Sequence, residues 1–144
     1  RIGRETIHIM LKSAKKFLYN FMLCGSVGWC LEILFTALNS LRRREFKLMG
    51  VTSLWMFPIY GAASLLTPLF HLMRHRPVWL RGLTYMTLIF SAEYAAGSLL
   101  QRCRLCPWDY SRSRCHIKGV IRLDYATNWF GAGLLFERLL APRD

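Results

Sequence analysis

Acidic residues are scarce in this sequence, and two familiar patterns are missing from it. Eight Asp and Glu stand against twenty Lys and Arg in 144 residues, which gives a formal net charge of +12. No Gly-x-x-x-x-Gly-Lys-Ser/Thr segment occurs, and this excludes ATP binding through a phosphate loop of that type. Strict alternation of apolar and polar residues is also missing, which favours helices over a barrel.

The basic residues occur in short runs between long apolar stretches. These runs are Arg42–Arg44 with Lys47, Arg74–Arg76, and the segment from Arg102 to Lys118. A soluble nucleic-acid-binding domain would instead place its basic residues along one folded face. Hydrophobic residues make up 53% of the chain, so a membrane protein with charged connections fits better. We therefore predict membrane lipids with anionic head groups as the electrostatic partner, and no nucleic acid.

Four windows approach the roughly twenty apolar residues that a helix needs to cross a bilayer core about 30 Å thick. These windows are 17–39, 52–73, 79–101 and 120–140. Residues 1–16 have the pattern of a basic amphipathic helix that lies among the head groups. We expect an all-α membrane protein whose single domain, residues 1–144, is a four-transmembrane-helix bundle preceded by this interfacial helix. Lys and Arg divide evenly between the two sides, so the positive-inside rule does not orient the bundle.

Three carboxylates interrupt these windows at comparable depths. At 1.5 Å per residue, Glu32 lies roughly 10 Å, Glu93 roughly 12 Å and Asp124 roughly 6 Å from the same membrane surface. Tyr60 falls near this level, and Asn128 lies on the polar stripe that begins at Asp124. An ionised acid at such depth costs several kcal/mol unless it is paired, hydrated or protonated. We predict one acidic pocket for a cation, a proton or a basic head group; hydrogen-bonded, protonated acids with a structural role are the alternative.

The connection at 102–118 contains Cys103, Cys106, Cys115 and His116. A Cys-x-x-Cys pair followed by Cys-His offers four candidate zinc ligands, but the second pair lacks a spacer between its ligands. We therefore predict neither a metal site nor another cofactor. A disulfide between Cys103 and Cys106 is an alternative in an oxidising compartment.

Aromatic residues follow in the same connection. Trp108 and Tyr110 suit the head-group belt of a membrane, where amphipathic rings settle. Asp109 between them can cap a turn through its carboxylate. It is also on the side of the predicted acidic pocket, which it could cover.

Several motifs in order along the chain resemble those of a known family. They are Gly28-Trp29-x-x-Glu32, Pro58-Ile59-Tyr60-Gly61, Glu93 with Gly97, Cys106-Pro107-Trp108-Asp109-Tyr110-Ser111, and Trp129 with Glu137. Over about residues 17–140 they resemble the transmembrane protein 229 family and its bacterial relatives, labelled putative ABC-transporter type IV or CmpB-like. The resemblance implies a multi-pass membrane protein without a known activity. It supports one binding site formed by Trp29, Glu32, Tyr60, Glu93, Trp108, Asp109 and Tyr110.

Three functions are compatible with these residues. The first is a transport or ligand-binding component. Four helices are too few to enclose a conduit alone, so a homo-oligomer or a larger membrane partner would be needed. The second is a non-catalytic accessory or scaffolding subunit of a membrane complex. The third is a membrane-embedded lipid enzyme that uses paired carboxylates as acid and base. A nucleophile beside a base is missing, so we do not predict catalytic residues.

Overall fold

The computed structural model describes residues 2–142, which are mostly helical. The helices are α1 (Ile2–Arg42), α2 (Met56–Gly61), α3 (Thr67–Met73), α4 (Val78–Arg102) and α5 (Ala126–Leu140), and 3-10 helices cover Ala62–Leu66 and Leu123–Tyr125. Two short strands, β1 (His116–Ile117) and β2 (Ile121–Arg122), pair in antiparallel fashion. In this pairing His116 is opposite Arg122, and Ile117 is opposite Ile121.

The chain divides into two compact units within the residues predicted to form a single domain. One unit extends to Leu66 and the other begins at Thr67. Pro68 follows at once, and its ring nitrogen cannot donate a hydrogen bond to the preceding turn. The 3-10 helix therefore ends at Leu66, and α3 begins at Thr67.

The first unit is organised by α1, a single helix of 41 residues. It continues without a break from the predicted interfacial segment 1–16 into the window 17–39, since neither Gly nor Pro occurs between Arg4 and Cys24. The chain then returns along α1. The backbone N–H of Val51 donates to the Thr36 hydroxyl over 2.8 Å, and this contact fixes the path toward α2.

Glycines on α1 allow α2 to approach closely. A Cβ placed on Gly28 would lie 2.1 Å from Cγ of Tyr60, and one on Gly25 would lie 2.8 Å from the Phe57 ring. Real Cβ atoms do not come this close to another carbon. The small residues on α1 are therefore required by the aromatic residues of α2.

The second unit is built on α4 and α5, which run in opposite directions. Arg81 near the start of α4 contacts Glu137 near the end of α5, whereas Glu93 further along α4 contacts Trp129 near the start of α5. Between these contacts, Gly133 leaves room for the Tyr85 side chain. The buried apolar residues of this unit include Phe70, Tyr85, Leu100, Val120, Phe136 and Leu140.

Two helical segments within residues 2–142 are long and apolar enough to cross a membrane: Gly3–Arg42 and Met56–Met73. Only 17% of the apolar window in each is buried, unlike the core helix of a soluble protein. The last predicted window, 120–140, begins in the structure with β2 and a 3-10 turn. Lys118 and Gly119 are both in the left-handed region and turn the chain there, so α5 starts only at Ala126.

Candidate functional site

Glu32 and Tyr60, two of the predicted site residues, come together in the first unit. The Tyr60 phenol donates a hydrogen bond to Oε2 of Glu32 over 2.8 Å. Both side chains are half-buried. Gly28 lies one helical turn before Glu32 on α1, and its missing side chain leaves the space that the Tyr60 ring occupies. The motif glycine therefore positions the donor for the carboxylate.

Trp29 fixes the segment that leads into α2. Its indole N–H donates to the carbonyl of Ser53 over 3.0 Å. The ring lies 4.7 Å, centroid to centroid, from that of Phe57. Trp29 thus acts on Tyr60 through the backbone before α2 and is a positioning residue.

Glu93 is the corresponding carboxylate of the second unit, and aromatic donors reach it from two elements. The Trp129 indole of α5 donates to Oε2 over 3.2 Å, and the Tyr110 phenol lies 3.5 Å from Oε1. Glu93, Tyr110 and Trp129 are each half-buried. The structure thus brings together Glu93 and Tyr110, two of the predicted site residues, and adds Trp129 to them.

The connection from α4 to α5 holds Tyr110 in place through its own hydrogen bonds. The Trp108 indole donates to the Val120 carbonyl over 2.8 Å, and the Tyr110 backbone N–H donates to the Gly119 carbonyl over 2.9 Å. Gly119 has a φ of +69°, a conformation that residues with a Cβ avoid. Trp108 is therefore a structural support for the loop that carries Tyr110.

Asp109 caps a turn in this loop. Its Oδ1 accepts a hydrogen bond from the Ser111 backbone N–H over 2.9 Å, and this bond holds the pKa of Asp109 below its usual range. The side chain is exposed. Turn capping is one of the two roles that the sequence suggested for this residue.

Asp124 is paired with a cation. Arg122 donates to it through Nε, 2.8 Å from Oδ1, and through Nη2, 2.6 Å from Oδ2. The same guanidinium donates to the Tyr125 phenol, and the Tyr125 ring lies 5.6 Å from that of Tyr110. Asp124 therefore connects to the Glu93 surroundings through Arg122 and two tyrosines, while its own carboxylate is exposed.

The remaining candidates are Asn128 and the cysteines and histidine of the connection between α4 and α5. Asn128 is exposed on α5. Across residues 2–142, no group of three or more His, Cys, Asp or Glu side chains is arranged to hold a metal ion. The candidate zinc ligands Cys103, Cys106 and Cys115 are free thiols. Nδ1 of His116, the fourth candidate, accepts a hydrogen bond from the Gly119 N–H over 2.9 Å. Burial raises the pKa of the Cys106 thiol, which donates to the Trp108 carbonyl.

A buried ion pair between Arg81 and Glu137 was missed by the sequence reasoning. The residues are only 6% and 4% exposed, and Nη1 of Arg81 contacts Oε1 of Glu137. The sequence placed Arg81 near the start of the third window, 79–101, without a partner. α4 begins at Val78, just after Pro77, so Arg81 lies one turn inside the helix. A basic residue one turn inside an apolar window was the signal that could have indicated a buried acidic partner.

Most of the chain matches a known protein family. The model of the family ABC_trans_CmpB, described as "Putative ABC-transporter type IV", matches residues 19–143. This range includes both carboxylate contacts and the buried ion pair. No solved structure matches the chain.

Proposed function

Because this chain belongs to the family described as "Putative ABC-transporter type IV", we propose that it is a multi-pass membrane protein that binds a proton or a cation, as a component of a transport system. The proposed binding groups are the carboxylates of Glu32 and Glu93. The observation that carries this proposal is the nature of their donors. Glu32 accepts from the Tyr60 phenol and Glu93 from the Trp129 indole, and both donors are neutral.

A neutral donor solvates a carboxylate without cancelling its charge. An ionised acid within the membrane costs several kcal/mol unless a proton or a cation neutralises it. A half-buried carboxylate held by phenol and indole groups is therefore poised to take up a positive charge from solution. An arginine partner would remove the tendency of the carboxylate to take up a proton or cation, since its guanidinium is a permanent positive charge.

The other acids of the second unit illustrate the contrast. Glu137 contacts Arg81 inside the unit, and Asp124 contacts Arg122 at its surface. These two acids already have a cation and do not need another.

Membrane placement is supported by the apolar side chains that α1 exposes. Leu18, Tyr19, Leu34 and Leu38 are between 59% and 68% exposed. Exposed apolar surface of this extent is unusual for a soluble monomer. Lipid chains would cover it, with Gly3–Arg42 and Met56–Met73 as two spans.

We assign the other two spans of a four-helix arrangement to α4 and α5. The 25 residues of α4 extend about 38 Å. The 15 residues of α5 extend about 22 Å, which is shorter than the bilayer core. Local thinning of the bilayer accommodates a short span at modest cost. That Glu32, Glu93 and Asp124 share one pocket stays a prediction.

The test uses purified protein reconstituted into vesicles, with proton flux and cation flux measured separately. Glu32→Gln and Glu93→Gln preserve the shape of the side chain and remove its charge. Each is expected to abolish the flux, whereas Glu45→Gln, at an exposed loop position, keeps it. Membrane extraction of each variant shows whether the protein remains integrated. Wild-type flux in both site variants would contradict the proposal.

An accessory subunit is the second candidate, favoured by the same exposed apolar side chains of α1. Helices of a partner could cover this surface as well as lipid does. Purification in a mild detergent distinguishes the two functions. A stable complex with a larger membrane protein, without flux from the isolated chain, supports the accessory role.

A further inference from the structure

We propose that the loop between α4 and α5 binds the phosphate of an anionic phospholipid. Residues 102–118 contain five Lys or Arg and only one acid, Asp109. The basic residues are all exposed: Arg102, Arg104, Arg112, Arg114 and Lys118. The inference rests on the membrane placement proposed above, and it is independent of the carboxylates Glu32 and Glu93.

Backbone hydrogen bonds constrain residues 111–114 of this loop, called the tip below, which carry two of these charges. The Tyr110 N–H donates to the Gly119 carbonyl over 2.9 Å, and the Leu123 N–H donates to the Cys115 carbonyl over 3.0 Å. Arg112 and Arg114 lie in the chain between Tyr110 and Cys115. They are therefore carried by a short, hydrogen-bonded segment, which reduces the conformational entropy lost when a ligand binds.

The positive charge of the tip is only partly offset within the part of the chain that the structure describes. Arg112 and Arg114 form no ion pair with residues 2–142. Asp109 is close enough for its charge to interact with that of Arg112, but its carboxylate accepts a hydrogen bond from the Ser111 backbone and lies outside ion-pair distance. Lys118 is 5.8 Å from the centroid of the Tyr94 ring, a contact that leaves its charge intact. A guanidinium group that has no carboxylate partner can bind phosphate through two parallel hydrogen bonds.

Apolar side chains accompany the basic ones, which favours a lipid over a nucleic acid. Leu105, Ile117 and Leu123 are 50%, 41% and 48% exposed. Basic residues attract anionic head groups, while apolar residues beside them enter the boundary with the acyl chains. The phosphate backbone of a nucleic acid offers exposed leucine and isoleucine less apolar surface than acyl chains do. The combination points to an anionic phospholipid as the occupant.

The experiment measures binding of fluorescent phosphatidylglycerol and fluorescent phosphatidylcholine to the delipidated full chain in a non-ionic detergent. The double variant Arg112→Gln with Arg114→Gln removes two charges from the tip. The matched control, Arg76→Gln with Arg138→Gln, removes two exposed charges outside the loop. At about 1 kcal/mol per basic residue, the loop variant is expected to bind phosphatidylglycerol roughly 30-fold more weakly. The control variant keeps its affinity, and salt weakens the wild-type interaction.

Three results would overturn the inference: equal affinity for the two lipids, unchanged affinity in the loop variant, or an equal loss in the control variant. A single-stranded oligonucleotide that binds the tip as tightly as the lipid does would also overturn it. Extraction of the chain from cell membranes by alkaline carbonate would instead contradict the membrane placement. The failure of this inference is therefore distinguishable from the failure of the proposed function.

Discussion

The Trp129 indole donates a hydrogen bond to Oε2 of Glu93 over 3.2 Å, and this contact joins α5 to α4 inside the second unit. An indole N–H only donates, so it always presents a hydrogen to the carboxylate. A proton that arrives at Glu93 would have to bind beside this donor. The contact therefore links the state of the carboxylate to the packing of α5 on α4.

Trp129→Phe is expected to strengthen proton binding at Glu93 without displacing the chain from the membrane. The indole N–H stabilises the ionised carboxylate, and its loss disfavours that form by about 1–3 kcal/mol while an aromatic ring is kept. The measurement is proton flux in reconstituted vesicles as a function of pH. Trp79→Phe is the control, because Trp79 is 62% exposed. The same change of flux in both variants would locate the effect outside Glu93.

Gly28→Ala is expected to lower the thermal stability of the purified protein and to impair the Glu32 contact. The added Cβ would clash with the Tyr60 ring, and such overpacking costs about 1–3 kcal/mol. Gly131→Ala is the matched control, since nothing lies within 4 Å of the added atom. Its expected effect is neutral or stabilising, because Ala favours a helix more than Gly does. A similar loss in both variants would show that the clash with Tyr60 is not its cause.

Glu137→Gln is expected to destabilise the second unit strongly, by about 3–5 kcal/mol, because the charge of Arg81 stays buried without its counterion. Replacing both residues, Arg81→Met with Glu137→Leu, removes the charges together and should restore most of the stability. Chemical denaturation in detergent measures both. A double variant as unstable as Glu137→Gln would mean that packing, and not the unpaired charge, causes the loss.

The turn at Asp109 is expected to loosen in acid. The Ser111 N–H lowers the pKa of Asp109 in the folded protein, so the ionised carboxylate stabilises the turn above its unfolded pKa of about 3.9. This stabilisation is lost as the pH falls through the lower, folded pKa. The measurement is the hydrogen-exchange protection of the Ser111 amide as a function of pH.

Asp109→Asn provides the control for that titration. The amide oxygen can still accept from Ser111 but cannot titrate, so the protection should no longer depend on pH in this range. Asp109→Ala removes the acceptor and should lower the protection at every pH. The same pH dependence in Asp109→Asn and in the wild type would exclude Asp109 as the titrating group.

Sequence reasoning predicted the helical character of this protein and the family to which it belongs. Apolar runs suffice to predict helices, and ordered motifs suffice to predict the family, because both predictions depend only on composition and local spacing. The CmpB-type family is confirmed, while the resemblance to transmembrane protein 229 stays a prediction. The mostly helical fold is present, and a four-helix membrane bundle stays a proposal.

Side-chain partners could be predicted only where both residues belong to recognised motifs. Glu32 and Tyr60 were grouped by depth and by motif, and they are hydrogen-bonded. The donation from Trp129 to Glu93 depends on how α4 and α5 rotate about their axes, which hydrophobic periodicity does not define finely enough. Arg81 lay near the start of a predicted window, but apolar periodicity does not identify the acid that pairs with a buried arginine, so the contact with Glu137 could not be recognised. The hairpin at His116–Arg122 escaped notice because a two-residue strand has no periodicity to detect.

The length of α1 has a consequence for what lies beyond the lipid. Its 41 residues form a rod about 61 Å long, whereas a bilayer with its head groups is about 40–45 Å thick. To fit inside, a straight rod would need a tilt beyond 40°, outside the range that membrane helices adopt. In a membrane, at least one end of α1 therefore projects into the aqueous phase, where it is within reach of soluble proteins.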